Sequence, residues 1–383
     1  RDDEPAEWFS EKALADYVAD YLRRAGLDVE LQEVEPGRPN VIALLEGRGT
    51  HGVSSSSSPG PGRRKKTLVW ETHMDTVQVK GMTVDPFQPR VANGRIWGRG
   101  ATDAKGSLAA MMAALHWLAA GTERPAADVV LVAAVDEEFR YRGVTHLLDS
   151  GFRADGGVVG EPTSCQIVTA CKGCVRWRIE VQGRAAHTSR PHEGVNAVEG
   201  ASQLILRLRD ELGPRLAARA HPLVGPPTLC PSMIEGGVGV NTVPDRCFIT
   251  FDRRVIPGEK PEEVLAEVEA ICRQMRAEYP QWGIIMHPPF VVDIPMEVPP
   301  SAEVVKAAQR ATRRELGYDD LVGVAYGCDA SKMVDRGIPT IVFGPGSIQE
   351  AHSSDEYIEI EQLHKATRAL RAIALEFGAE GTI

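Results

Sequence analysis

The sequence predicts an α/β fold: a larger domain built on a largely parallel sheet with helices on both faces, interrupted by a smaller α+β domain. Three observations carry that prediction. Over residues 9–171 apolar positions switch repeatedly between helical spacing and short strand-like runs. Near residue 172 the pattern changes to long alternating strands, CVRWRIEVQG and CFITFDRRVI, grouped with two helices over 195–212 and 261–277. From about Val292 the first pattern returns. The reading therefore divides the chain into 1–171, an insertion 172–291, and 292–383, and 383 residues exceed what a single core usually supports.

Residues 9–27 carry apolar side chains at helical spacing, and VELQEV and NVIALLEG follow as strands. Residues 47–66, GRGTHGVSSSSSPGPGRRKK, are dominated by Gly, Ser and Pro and predict a mobile surface loop. Strand TLVWETHMD leads through a Gly- and Pro-rich segment into helix KGSLAAMMAALHWLAAG, which stops at Gly121. DVVLVAAV and GGVVG read as short buried strands. After the insertion, SAEVVKAAQRATRREL is a helix, LVGVAY and PTIVFG are strands, and a last helix starts at Ile360. No internal repeat is present, which removes solenoids and propellers.

A net charge of −10 argues against nucleic-acid and anionic-membrane partners, which favour clustered basic surfaces. The tetrad Arg63-Arg64-Lys65-Lys66 reads as a solvated flank of the Ser-rich loop. No apolar run approaches the ~20 residues of a membrane span. The first thirty residues are acidic and lack the apolar region of a signal peptide, so a cytoplasmic protein is expected, although a chain starting without Met leaves room for a removed leader. Seven cysteines without repetitive spacing suit reduced core thiols better than a disulfide framework. Cys171-Lys-Gly-Cys174 is a poor redox motif, because the residues after it alternate like a strand rather than open a helix.

The chemistry concentrates at strand ends. In VVLVAAVDEEF an apolar strand runs straight into Asp136, Glu137 and Glu138, a cluster of like charges that needs a cation or hydrogen-bond donors to remain ionised. In TLVWETHMD, His73 and Asp75 are two apart on a strand and so share a face, the arrangement in which a carboxylate orients a metal-bound imidazole. For an isolated His-x-Asp, a hydrogen-bonded turn is the plainer reading. Asp103, in GRGATDAKGS, precedes a helix and could be an N-cap. Glu161 ends the strand in VVGEPT, and His352 lies in the polar loop AHSSDE. Together these residues supply N and O donors for two divalent ions, most naturally zinc, with cobalt or manganese also suited. A pair of cations explains why several acids stay ionised in one pocket, and one acid is left to act as a base.

In order along the chain, THMDTV, GRGATDAKG, DEEF, GEPT, GRAAHTSRPHEGVNA, GVGVNTVPD, DRRVIPGE and AHSSDE resemble the motifs of the M20 family of dinuclear zinc metallopeptidases and amidohydrolases. The GEPT, Lys-Gly and GVNA segments are most similar to its acetylornithine deacetylase and succinyl-diaminopimelate desuccinylase branch. The resemblance implies that His73 and Glu161 hold one metal, that His352 and Glu138 hold the other, and that Asp103 bridges them. Asp75 would orient His73, and Glu137 would be the general base toward a water between the metals. It also implies a non-proline cis peptide after Asp103.

In the insertion, which the resemblance makes a lid and dimerisation domain, His187 would reach a partner subunit's site and donate to the oxyanion. Alone it would read as a surface loop histidine. Asn241 and Arg254 would bind a substrate carboxylate, with Arg253 as the competing candidate, and Gly327 would offer a backbone contact. The expected protein is a homodimeric hydrolase of an amide bond in a small N-acyl amino acid. The alternatives are a dipeptidase or carboxypeptidase on the same motifs, and a catalytically silent metal-binding protein, which would be expected to have lost a ligand or the base. The chain departs from the family in a short or truncated N-terminus, in Cys171 where deacetylases often carry His, and in the length of the Ser-rich loop.

Overall fold

The computed structural model describes residues 10–48 and 65–379. Most of the Ser-rich loop, Arg63 and Arg64 of the basic tetrad, and the shortness of the N-terminus lie outside the described residues. The chain forms two compact units, one of residues 1–169, 298–322 and 328–383, the other of 170–297 with 323–327. These bounds differ from the expected 172 and 291. The second unit extends further because Val291–Asp293 pairs with Gly173–Gln182, and Met296–Glu297 pairs with Ala170 and Cys171.

The larger sheet runs, in spatial order, Asp28–Glu35, Arg38–Leu45, Asp128–Ala134, Thr67–His73, Gly156–Val159, Thr340–Val342, Ile167–Cys171 and Met296–Glu297. The four central strands, from Asp128–Ala134 to Thr340–Val342, are parallel, while the flanking pairs are antiparallel. Strands buried on both faces read as continuous apolar runs, and Val129 to Val135 are buried throughout. The helices Lys105–Ala120 and Glu303–Leu316 pack on the last helix, Ile360–Glu376; a second pair, Arg142–Asp149 and Ala330–Asp335, packs separately. Because parallel strands all end on one side, the segments after His73, Ala134, Val159 and Val342 converge at that edge, where open α/β sheets bind ligands.

A small sheet was not foreseen: Arg90–Ala92, Arg95–Trp97 and Tyr357–Glu359 pair within the Gly- and Pro-rich segment and the region after His352. The readable signal was Asn93-Gly94, whose φ of 53° and 73° make the tight hairpin turn that this dipeptide favours.

The second unit is an antiparallel sheet in the order Thr228–Gly236, Arg246–Val255, Gly173–Gln182, Gly283–Met286. Its inner face packs on the helices Ala197–Ala217 and Pro261–Glu278 around Trp177 and Phe251, whose rings stack at 5.5 Å. The first of these helices starts at Ala197 rather than at 195 because the Asn196 side chain caps it, accepting from the Val198 and Glu199 N–H groups.

Candidate active site

His73 is the last residue of its strand and is 1 % exposed. Asp75 lies beyond the strand, so the shared-face argument does not place it; backbone contacts do. The His73 Nδ1 is 3.0 Å from the Asp75 carbonyl oxygen and 3.5 Å from its carboxylate. A carbonyl only accepts, so Nδ1 carries the proton and Nε2 faces Asp103 at 3.0 Å and Glu161 at 3.8 Å. The two oxygens of Asp75 accept the N–H groups of Glu137 and Glu138, each at 3.1 Å. One carboxylate thus orients both the imidazole and the acidic turn. Burial opposes ionisation of Asp75, but the His73 contact and the two N–H donors outweigh it and hold its pKa below the usual range.

Asp136, for which sequence suggested no role, turns the chain out of the strand at φ 65°, a conformation Asp tolerates better than most residues. Its fully buried carboxylate accepts from Arg38 at 3.1 Å and from Arg142 at 2.6 and 3.1 Å. Arg38 is itself paired with Glu11 at 2.5 Å and Glu35 at 3.1 Å. The first acid of the triplet is therefore neutralised by arginines, and the two that follow project from the short helix Glu137–Arg140.

Among the described residues two donor groups fit a metal ion: His73, Asp103 and Glu161, and Asp103, Glu138 and His352, with ligand atoms within 4.8 Å of one another in each. Asp103 belongs to both. Its Oδ1 lies 3.0 Å from His73 Nε2 and its Oδ2 lies 3.0 Å from His352 Nε2, while His352 is 3.2 Å from Glu138. The helix Lys105–Ala120 has no side-chain cap, so Asp103 is not an N-cap. The Asp103-Ala104 peptide is cis.

The charges do not balance without cations. Enclosure raises the Glu161 and Glu137 pKa well above the carboxylate range, reinforced by neighbouring acids and only partly offset by His73. Hydrogen bonds to Asp103 and then Glu138 push His352 up to about 10. Burial lowers His73, but Asp103, Asp75 and Glu161 more than compensate, so its pKa too is raised. A nitrogen–oxygen donor set with surplus negative charge fits divalent ions of the zinc, cobalt and manganese kind.

Sequence reading missed Glu71 and Asp329. Glu71 precedes His73 by two residues; both acids are buried, and none of their carboxyl oxygens meets a hydrogen-bond donor among the described residues, so each carboxyl acts mainly on the other. A charged residue inside an apolar strand was the available signal. Burial is the main cause that raises both carboxyls, Asp329 from 3.8 to about 7, so the pair retains a proton. A raised folded-state pKa contributes stability that is complete below the unfolded value and is lost as pH climbs through about 7. Asp329→Asn removes that loss while still donating to Glu71. In chelator, its stability relative to wild type should increase between about pH 5 and about pH 8 by a few kcal/mol at most. A difference independent of pH in thermal melts would contradict the retained proton.

His187, Asn241, Arg254 and Gly327 belong to the second unit. His187 and Thr242 form an antiparallel bridge, and the Thr188 N–H donates to the Asn241 carbonyl at 3.1 Å, so the two loops lie side by side with His187 and Asn241 exposed. Nδ1 of His187 accepts the Ser189 N–H at 3.2 Å, which leaves the neutral ring's proton on Nε2 as an outward donor. Arg253 is 2 % exposed and bound to Glu259 at 2.7 Å, whereas Arg254 is 32 % exposed and paired with Asp252 at 3.0 Å. The opposite faces of one strand separate the two arginines. At Gly327 a Cβ would stand 2.0 Å from Asp293 Oδ2, so sterics already require glycine. Cys171 and Cys174 are buried and unpaired on strands, and burial raises the Cys174 thiol pKa.

Known proteins share this chain's sequence pattern and fold. The profile of peptidase family M20/M25/M40 matches residues 69–376. An acetylornithine deacetylase of Myxococcus xanthus is 30 % identical over 369 residues, 94 % of this chain and 91 % of that protein. The crystal structure of aminopeptidase PepT from Bacillus cereus superposes with a TM-score of 0.77 at 21 % identity, covering 97 % of this chain and 94 % of the other. The YXEP protein of Bacillus subtilis, described as a dinuclear metal-binding peptidase of the M20 family, gives 0.70 at 16 % identity, covering 96 % and 92 %. With most of its length matched, and with paired donor groups at the ends of its parallel strands, the chain belongs to the hydrolases of peptidase family M20/M25/M40.

Proposed function

We propose that the protein removes the acyl group from a small N-acyl amino acid by metal-dependent amide hydrolysis. The observation that carries this reading is Asp103 with one oxygen toward each of two imidazoles, beside a Glu137 that belongs to neither donor group. The likeness to an acetylornithine deacetylase along nearly the whole chain favours a deacylase over a peptidase, since the solved peptidases match at the level of fold.

In this reading His73 and Glu161 hold one ion, Glu138 and His352 the other, and Asp103 both. Bound there, two divalent ions would supply an acidified water and a polarised carbonyl. Glu137, its backbone fixed by Asp75, takes the water's proton and returns it to the leaving amine; its raised pKa suits a group that must do both near neutrality. His187 donates from Nε2 to the oxyanion of a partner subunit's site, Asn241 and Arg254 hold the substrate carboxylate, and Gly327 offers backbone. A homodimer through the second unit is supported by the outer strand Thr228–Gly236, which leaves Met233 and Ile234 exposed. Among the described residues no helix is long and apolar enough to cross a membrane and no disulfide forms, as suits a reducing cytoplasm.

A panel of N-acetyl, N-succinyl and dipeptide substrates with metal-reconstituted protein tests the assignment. Preference for a dipeptide makes the protein a peptidase instead, and inactivity on all, with two metals bound, favours the silent metal-binding alternative. Arg254→Met should raise KM about 10–100-fold with kcat nearly unchanged, the loss of a charged hydrogen bond used for binding. Arg253→Met, which strips Glu259 of a buried partner, should instead cost about 3 kcal/mol of stability. The opposite pattern in steady-state kinetics and melting would exchange the two roles.

A further inference from the structure

Glu356 is fully buried, and the hydrolysis just described does not use it. It stands four residues after His352, yet its carboxylate is surrounded by the loop that carries Asp103. Oε2 accepts from Arg99 Nη1 at 2.6 Å and the Gly100 N–H at 3.1 Å; Oε1 accepts the N–H groups of Thr102 at 2.9 Å and Asp103 at 3.1 Å. Two further contacts run in the same direction, from the Asp103 loop to the backbone beside Glu356: the Gly98 N–H donates to the Glu356 carbonyl at 3.1 Å and the Thr102 hydroxyl to the Tyr357 carbonyl at 2.5 Å. Without the carboxylate, the N–H groups of Gly100, Thr102 and Asp103 would be buried without these partners.

The two donor groups are held differently. His73 ends a central strand and is steadied by Asp75, and Glu161 follows another strand whose next residue, Gly160, bonds back to Glu71 at 2.8 Å. His352 instead sits exposed on a loop at φ 59°, so its distance from Asp103 depends on whatever joins the two loops. We infer that Glu356 is the positioning residue of the shared carboxylate, fixing Asp103 relative to the His352 loop so that the Asp103–Glu138–His352 group keeps its metal-binding geometry. This rests on the dinuclear reading above.

The test is calorimetric titration of the metal-free protein with Zn²⁺, for wild type and Glu356→Gln, with circular dichroism to establish that the variant is folded. Glu356→Gln keeps the shape but replaces one accepting oxygen with a donor facing other donors. The expected result is a second equivalent bound about 10–100-fold more weakly, the usual effect of losing a partner that orients a ligand, with the first changed far less. Activity of the variant should then recover with excess Zn²⁺. Arg99→Met is the milder companion, since it removes one donor and leaves the three backbone contacts; a smaller loss in the same equivalent supports the inference. Wild-type affinity for both equivalents in both variants overturns it, as does equal weakening of both. If wild type itself binds fewer than two ions, the dinuclear reading fails, and this inference with it.

Discussion

Glu137→Ala should bind two equivalents of zinc as tightly as wild type and lose turnover by at least about 10²–10⁴-fold, the range general acid–base catalysis contributes. The prediction follows from geometry: Glu137 falls in neither donor group, while its neighbour Glu138 lies 3.2 Å from His352. Its N–H is held by Asp75, so truncating the side chain leaves the turn's backbone contact intact. The raised pKa of the carboxyl, caused first by enclosure and then by surrounding acids, belongs to a group able to accept a proton and hold it. Metal titration and steady-state kinetics on one preparation decide the matter. Loss of a metal equivalent would make Glu137 a ligand, and substantial residual turnover would move the base elsewhere.

Asp103→Ala should abolish binding of both equivalents and reduce turnover to background, whereas Glu161→Ala and Glu138→Ala should each remove one. Asp103 is the residue common to both donor groups, with one oxygen at 3.0 Å from each imidazole. Both histidines also owe part of their raised pKa to it, so the variant should lower the pKa of each imidazole in the metal-free protein. Proton NMR titration of the ring signals reads this without any metal present. Were Asp103 a helix cap, the substitution would cost about 1 kcal/mol and leave metal binding alone. A variant that still binds two ions would remove the shared-ligand reading.

The alternation of helical and strand patterns, and so the fold class, was legible because burial imposes a period on each element in isolation. The members of both donor groups were legible for a related reason. His73, Glu138 and Glu161 follow apolar strands, and a strand written in Val, Leu and Ala has a recognisable end. Where the reading misplaced something, a non-local contact decided. Asp75 stands past the strand's end, and its carboxylate is fixed there by the N–H groups of Glu137 and Glu138, more than sixty residues away. The second compact unit spans 170–297 where the reading placed 172–291, because strand pairing, which local sequence does not record, continues past Val291.

What the sequence by itself determined is the long helices and the central buried strands, the donors near their ends, and the family resemblance those donors carry. What only the tertiary structure decided is which atom serves which partner. Asp136 is consumed by Arg38 and Arg142, Glu71 is buried against Asp329, Arg253 is turned inward while Arg254 is not, and Glu356 collects the loop of Asp103. Apart from the neighbouring arginines, these partners lie from 6 to 258 residues apart in the chain. Periodicity reports whether a side chain is buried, and chemistry reports what it can bind. The partner it meets depends on register, turn geometry and the packing of loops, which are settled only when distant segments close on one another.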